Sequence, residues 1–330
     1  MRCTVMGAGA WGTALASLLA ENGHDTAIWC LEPDVAAAIN HSATNPRFLP
    51  GAGLAKTLRA SSDKETALAD AELVLFATPS HVLREVASHA RTWMKPGATA
   101  VVATKGIERH THALMTDVVA EELAGHAVVA FSGPSFAAEV ANHMPTAVVA
   151  ASATAAAATL VQQSFSAAHF RVYSTDDVTG VELGGALKNV MAVAAGMSDG
   201  LGLGFNTRAA LITRGLAEIM RLGMAMGAHP QTFAGLAGVG DLVLTCTGSL
   251  SRNRQVGIEI GKGATLTEVL AGRETVAEGV VTTESALELA MAHGVEMPIV
   301  SAVHRVLFEH QPARQALVEL MSRELRGERD

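Results

Sequence analysis

Lys188 is the only cation between Arg171 and Arg208, and it stands in a run of apolar and small residues, Val181-Glu182-Leu183-Gly184-Gly185-Ala186-Leu187-Lys188-Asn189-Val190-Met191-Ala192. Gly184 lies one helical turn before it and Ala192 one turn after, so a helix here has a shallow face that a backbone or a ligand can approach closely. Burial in such a place disfavours the ammonium and lowers the pKa, which suits a lysine to proton transfer near neutral pH. The competing reading is a lysine that snorkels to solvent or pairs with Glu182. Lys105 is the second lysine of interest, in Thr104-Lys105-Gly106 directly after the apolar run 98–103. At the carboxyl end of a strand it would point into a ligand crevice and meet phosphate or substrate oxygen; otherwise it is an exposed lysine before a glycine turn.

Ser249-Leu250-Ser251-Arg252-Asn253-Arg254-Gln255 places two arginines in what reads as the first turn of a helix, where the macrodipole prefers acids. An anion would relieve this. Backbone N–H groups, the Ser251 hydroxyl, the Asn253 amide and the Arg252 guanidinium together would cradle a phosphate; solvated arginines are the plainer alternative. Gly133-Pro134-Ser135, after the run 127–131, reads either as a helix start facing an anion or as an ordinary N-cap.

Gly7-Ala8-Gly9-Ala10-Trp11-Gly12 follows a predicted strand and opens a predicted helix, the context that a dinucleotide-binding G-x-G-x-x-G turn requires. Its first glycine permits the tight turn, the second lets the backbone approach a pyrophosphate, and the third lets helix and strand pack. A glycine turn without ligand has the same pattern, and flavin or S-adenosylmethionine are competing ligands. Glu32, twenty positions past Gly12, is placed to bind the adenosine ribose diol, which favours NAD over NADP. The segment Trp29-Cys30-Leu31-Glu32-Pro33-Asp34 offers no Lys or Arg for a 2′-phosphate. A solvated carboxylate ahead of a helix begun by Pro33 is the alternative.

The elements that must position these groups follow from pattern. Strand-like runs at 3–6, 26–29, 73–76, 99–103, 127–131, 146–150 and 170–173 alternate with helical stretches, which predicts βαβ units and a mostly parallel sheet. From Ser174 onward long periodic segments, 181–197 and 207–226 first, predict helices only, with turns at 200–204, 227–230 and 238–240. The expected fold is therefore α/β: a Rossmann-type domain over residues 1–175 followed by an all-helical substrate and catalytic domain over 176–330.

Composition bounds the rest. With 330 residues, 49% hydrophobic and only 4% aromatic, the chain can bury real cores, and those cores must rely on small side chains and close helix approach. A formal net charge of -8 with no basic run excludes a footprint for nucleic acid or anionic lipid. Cys3, Cys30 and Cys246 lack a metal or disulfide spacing, which fits a reducing cytoplasm. Arg2 and the apolar run to Ala20 have the outline of a short signal peptide, but Gly7, Gly9 and Gly12 interrupt it, and no later stretch is long enough for a membrane span. His110 and His112 form an H-x-H pair with Glu108 near, but the segment reads as a polar loop without a third ligand, so no metal is expected. A homodimer is compatible with the apolar helical half, although a single sequence does not separate an interface face from a core face.

In combination these segments resemble the NAD(P)-dependent glycerol-3-phosphate dehydrogenase family of the bacterial type over most of the chain. The resemblance is carried by the Gly7 to Gly12 turn, Ala103-Thr104-Lys105-Gly106-Ile107-Glu108, Phe131-Ser132-Gly133-Pro134-Ser135-Phe136-Ala137, and Glu182 to Asn189. It continues through Ser198-Asp199-Gly200-Leu201-Gly202, Gly238-Val239-Gly240-Asp241-Leu242, Ser251-Arg252-Asn253 and Glu278-Gly279-Val280, in the family's order. It implies a reaction between dihydroxyacetone phosphate and sn-glycerol 3-phosphate with NAD(H) or NADP(H), supplying glycerophospholipid synthesis. It further implies that Lys188 is the catalytic acid and base, with Lys105 and Asp241 beside the reacting carbons, and that Gly133, Ser135, Ser251, Arg252 and Asn253 bind substrate. Ala10, Trp11, Ala137, Val276 and Glu278 would line the cofactor, with Lys105 and Arg252 shared. Leu31 departs from a position where NADPH-using members often carry a basic residue or histidine. The competing readings are a two-domain dehydrogenase of the hydroxyacid type and a non-catalytic NAD(H) sensor.

Overall fold

A computed structural model of the chain describes residues 1–271, 277–325 and 327. Its sheet contains eight strands: β1 (Arg2–Met6), β2 (Asp25–Trp29), β3 (Arg59–Ser61), β4 (Leu73–Phe76), β5 (Thr99–Val102), β6 (Val128–Ser132), β7 (Thr146–Ala151) and β8 (Phe170–Thr175). They lie in the order β8-β7-β6-β5-β4-β1-β2-β3. From β3 through β6 all neighbours are parallel, and β7 pairs antiparallel with β6. That reversal has a local cause: only a five-residue helix, Ala137–Ala141, intervenes, too short to carry the chain back along a strand.

The predicted strands fall where the apolar runs put them. The edge strand β3 and a small hairpin of Thr44–Asn45 with Leu49–Gly53 were not foreseen. Their sequences, Arg-Ala-Ser and Leu-Pro-Gly-Ala-Gly, have no apolar alternation and read as turn material, so neighbouring backbone rather than local propensity makes them strands. Residues 2–21, with the outline of a signal peptide, instead form the central strand β1 and the first helix α1 (Ala10–Glu21), both deep in the core.

Beyond β8 the described residues are helical. The helix Val178–Gly200 is buried at every position from Gly180 to Ser198. Phe205–Ala225, Asp241–Thr247, Arg252–Gly261 and Glu278–Ala292 pack around it. Small residues make that density attainable: a Cβ on Gly196 would stand 2.0 Å from the Arg254 carbonyl, and one on Gly257 2.0 Å from the Val193 carbonyl. The shallow face at Gly184 is filled by backbone, since a Cβ there would meet the Ala237 carbonyl at 2.3 Å. Residues 238–240, expected as a turn, belong to a π-helical segment, Leu236–Gly240, that runs directly into the helix Asp241–Thr247. Gly238 departs from helical backbone angles there and lies against Phe233, a contact a side chain would block. Among the described residues no single helix is long and apolar enough to cross a membrane.

Candidate active site

Lys188 and Lys105 converge on one carboxylate. Lys188 Nζ lies 2.5 Å from Asp241 Oδ1 and 2.9 Å from Thr245 Oγ1. Lys105, on the loop after β5, donates to Asp241 Oδ2 at 2.7 Å and to the Gly133 carbonyl at 3.3 Å. Asp241 is fully buried, Lys188 is 8% exposed and Lys105 is half-buried. Desolvation pushes Lys188 down to about 7; the Asp241 carboxylate opposes that fall and the Lys105 ammonium adds to it. The expected lowering is thus present, with its expected cause. Pairing with Glu182 is not: that carboxylate turns to Thr116, accepting from its N–H at 2.9 Å and from its hydroxyl.

Thr245 was missed by sequence reasoning although a signal existed, since it stands four residues after Asp241 on the same helix face. It accepts from Lys188 and donates to the Asp241 carbonyl at 2.6 Å, which gives the lysine a second partner beside the carboxylate. Gly133 has φ +146, and a Cβ there would lie 2.8 Å from Val148 Cα, so only glycine lets β6 turn toward Lys105 this closely. Ser135 is not the N-cap of the following helix: Phe136 is, and the Ser135 hydroxyl donates to the Gly133 carbonyl at 2.9 Å.

The helix Arg252–Gly261 starts as expected, with the Ser251 hydroxyl accepting from the Arg254 N–H at 3.2 Å. Its two arginines differ in fate. Arg254 pairs with Asp199, which Arg208 also grips, so it is structural. Arg252 is exposed and has no ion-pair partner among the described residues. Asn253 does more than face a ligand: its amide donates to Asn189 Oδ1 at 2.9 Å and accepts from the Gly279 N–H at 2.9 Å. This bridge fastens the start of the arginine helix to the residue beside Lys188, a link with no local sequence signal.

At the glycine turn Gly7 has φ +114, and a Cβ on Gly12 would lie 2.0 Å from the Gly7 carbonyl. Nothing lies within 4 Å of a Cβ position on Gly9, so backbone is open there. The first turn of α1, with Ala10 and Trp11, has no side-chain cap, and the Trp11 indole N–H is buried without a partner. An open backbone, an uncapped helix start and an orphaned donor suit a pyrophosphate. Ala137 packs against the core that includes α1. Glu32 sits at the N-cap position of the helix Pro33–Ser42 but makes no capping bond, and Leu31 beside it is exposed. Glu278 accepts from Ser80 N–H at 3.3 Å and Ser80 Oγ at 2.6 Å, and burial raises its pKa. Ser80 had no sequence signal, lying 198 positions away. Val276 lies outside the described residues.

Other expected features play no part in this site. The three cysteines are buried and their thiols pushed up to about 12 by desolvation, which leaves no reactive thiolate. His112 pairs with Glu288 at 2.9 Å. Clefts of about 540 and 480 Å³ occur elsewhere, one bounded by Met291, Arg305 and Arg323, the other by Tyr173 and Gln231; the crevice at Lys188 is marked by its chemistry rather than by width.

A doubly wound sheet with a glycine turn ahead of its first helix, joined to helices that bring a buried lysine to a strand-end lysine, defines an NAD(P)-dependent dehydrogenase. The comparisons narrow this. Residues 2–158 match the N-terminal part of NAD-dependent glycerol-3-phosphate dehydrogenase and residues 177–318 match its C-terminal part. The glycerol-3-phosphate dehydrogenase (NAD(P)+) of Geobacter metallireducens is 56% identical over 98% of both chains, and that of Geobacter sulfurreducens is 54% identical over 99% of both. The crystal structure of glycerol-3-phosphate dehydrogenase from Coxiella burnetii superposes with a TM-score of 0.93 at 40% identity, covering 98% of this chain and 99% of that one. The chain belongs to the NAD-dependent glycerol-3-phosphate dehydrogenase family. The hydroxyacid-type reading and the non-catalytic sensor fall away with that assignment.

Proposed function

We propose that this enzyme interconverts dihydroxyacetone phosphate and sn-glycerol 3-phosphate, with Lys188 as the proton-transfer residue. The observation that carries the reading is the Lys188–Asp241–Lys105 cluster, tied through Asn189 and Asn253 to a helix start that bears the exposed Arg252. Bound at the Gly7 to Gly12 turn, with Trp11, Ala10, Ala137, Glu32 and Glu278 around it, NAD(P)H supplies the hydride. Lys188 as the ammonium gives a proton to the C2 oxygen of the ketone; as the amine it takes that proton back from the alcohol. Lys105 opposes negative charge developing on the same oxygen, and Asp241 holds both lysines in place. Arg252, the Ser251 N-cap and the first turn of the helix receive the phosphate, while Gly133 and Ser135 shape the wall beside Lys105. Glu32 and the exposed Leu31 favour NADH over NADPH.

The test is oxidation of NADH, and separately of NADPH, by the purified chain with dihydroxyacetone phosphate, followed by nicotinamide absorbance. The expected result is fast turnover that drops by at least about 100-fold with unphosphorylated dihydroxyacetone, because an oriented charged contact is lost. Absence of turnover in protein that binds a cofactor would overturn the assignment. A division into domains at residues 175 and 176, a cytoplasmic location and a homodimer belong to the same proposal. Light scattering on the purified chain tests the homodimer.

A further inference from the structure

Glu21, His143 and His169 come from three separate elements, and none takes part in the site above. Glu21 ends α1, His143 follows the helix Ala137–Ala141, and His169 precedes β8. Their ligand atoms all lie within 4.8 Å of one another. His143 Nε2 is 3.0 Å from Glu21 Oε2, and the imidazole rings are 4.4 Å apart between centroids. The other oxygen of the Glu21 carboxylate accepts from Ser17 Oγ at 3.0 Å, which sets its orientation. His169 Nε2 is buried and has no hydrogen-bond partner. Such a nitrogen is unfavourable unless something binds it.

The backbones that carry the three side chains are well anchored. His143 adopts φ +57 with its N–H donating to the Val140 carbonyl at 3.0 Å. The His169 carbonyl accepts from the Thr146 N–H at 2.9 Å, beside the first pair of β7 and β8. Glu21 is the last residue of a helix whose interior is core.

We propose that Glu21, His143 and His169 bind a divalent transition-metal ion, of the Zn²⁺ class, on the surface of the sheet half. Two imidazoles and one carboxylate are the ligand set such ions take, whereas Mg²⁺ and Ca²⁺ require oxygen ligands. Bonds of about 2.1 Å in tetrahedral geometry put ligand atoms about 3.4 Å apart, so the His143–Glu21 separation is already near that value. Glu21 and His143 are exposed, so their side chains have room to close the longest gap. The site is separate from the reaction. At 1.5 Å per residue, Glu21 lies about 16 Å along α1 from Ala10 at the glycine turn. The bound ion staples the end of α1 to the turns that precede β7 and β8.

The experiment titrates the chelator-treated full-length protein with Zn²⁺ alone, by competition with a chromophoric chelator, and with Co²⁺ alone, by visible absorption. The expected result is one ion per chain and a Zn²⁺-dependent rise in Tm. In His169→Ala and Glu21→Gln the affinity falls at least about tenfold and the Co²⁺ spectrum changes, while turnover of the family's substrate stays unchanged. Retained turnover shows that both variants fold. Absence of saturable binding, or equal binding by the wild type and both variants, would overturn the proposal; in the second case the ion occupies another place such as His110 and His112.

Discussion

In the proposed mechanism the chemistry depends on Lys188, and the environment of that residue sets a pH dependence that can be measured. Its pKa is pushed down to about 7, chiefly by burial. Reduction of the ketone needs the ammonium, so that direction should be fastest below about pH 7 and decline as pH rises through it; oxidation of the alcohol should do the reverse. Lys188→Ala should lower kcat by a factor on the order of 10²–10⁴, the usual worth of a positioned acid or base, with cofactor affinity nearly unchanged. Steady-state rates in both directions and NADH fluorescence titration check these two outcomes. Near-normal turnover in the variant would remove Lys188 from the proton-transfer role. Asp241 contributes by holding charge in place: it is fully buried between two lysines and opposes the fall in the Lys188 pKa, so Asp241→Asn should push Lys188 further toward the neutral amine and cost both stability and the rate of ketone reduction.

Between elements, the decisive contacts are made by atoms that are missing. The helices Val178–Gly200 and Arg252–Gly261 cross so closely that Gly196, Gly200, Gly257 and Gly261 each leave room for the other's backbone. Gly257→Ala would put a Cβ 2.0 Å from the Val193 carbonyl, which no rotamer can relieve. The expected loss is about 1–3 kcal/mol or more of stability, read as a lower denaturation midpoint in urea. The same crossing carries Ser251, Arg252 and Asn253, so the surviving folded fraction should also show a raised KM for the phosphorylated substrate. An unchanged midpoint would mean that the helices part more easily than their packing indicates.

For the molecule as a whole, buried carboxyls join segments far apart in the chain. Glu182, on the central helix, accepts from Thr116 at the start of Met115–Glu122, and burial pushes it up to about 7. Glu218 receives the N–H of Ile299 at 2.7 Å at the start of another helix and is likewise pushed up to about 7 by burial. A carboxyl whose folded pKa exceeds its unfolded value binds more protons folded than unfolded in between. Both groups therefore make stability fall as pH rises from about 4.5 to about 7. Glu182→Gln should make that decline shallower, by an amount on the order of 1–3 kcal/mol across the window. Urea denaturation at several pH values checks it; an unaltered slope would mean that Glu182 is ionised at little cost. Lys188, with its folded pKa lowered, acts with the opposite sign above about pH 7 and does not overlap.

Periodicity in the sequence determined the alternating half, the helical half and the presence of a helix after the first glycine turn, because apolar spacing and glycine punctuation are local properties. The type and position of Lys188, Lys105 and Arg252 marked them as chemical groups for the same reason: a lone cation among small apolar residues, at a strand end, or where a helix prefers an acid is visible without a partner, whereas Asp241 was implied only by the family resemblance. What tertiary structure decided was pairing. Whether Lys188 faced Glu182 or Asp241, which of Arg252 and Arg254 stayed available, and that Asn253 joins Asn189 to Gly279 depend on contacts between residues far apart in the chain. The strand β3, the antiparallel turn of β7 and the π-helical segment before Asp241 likewise arise from neighbours rather than from propensity. Local free energies choose an element's type, but the desolvation and directional bonding that make a lysine reactive exist only once distant segments have closed around it.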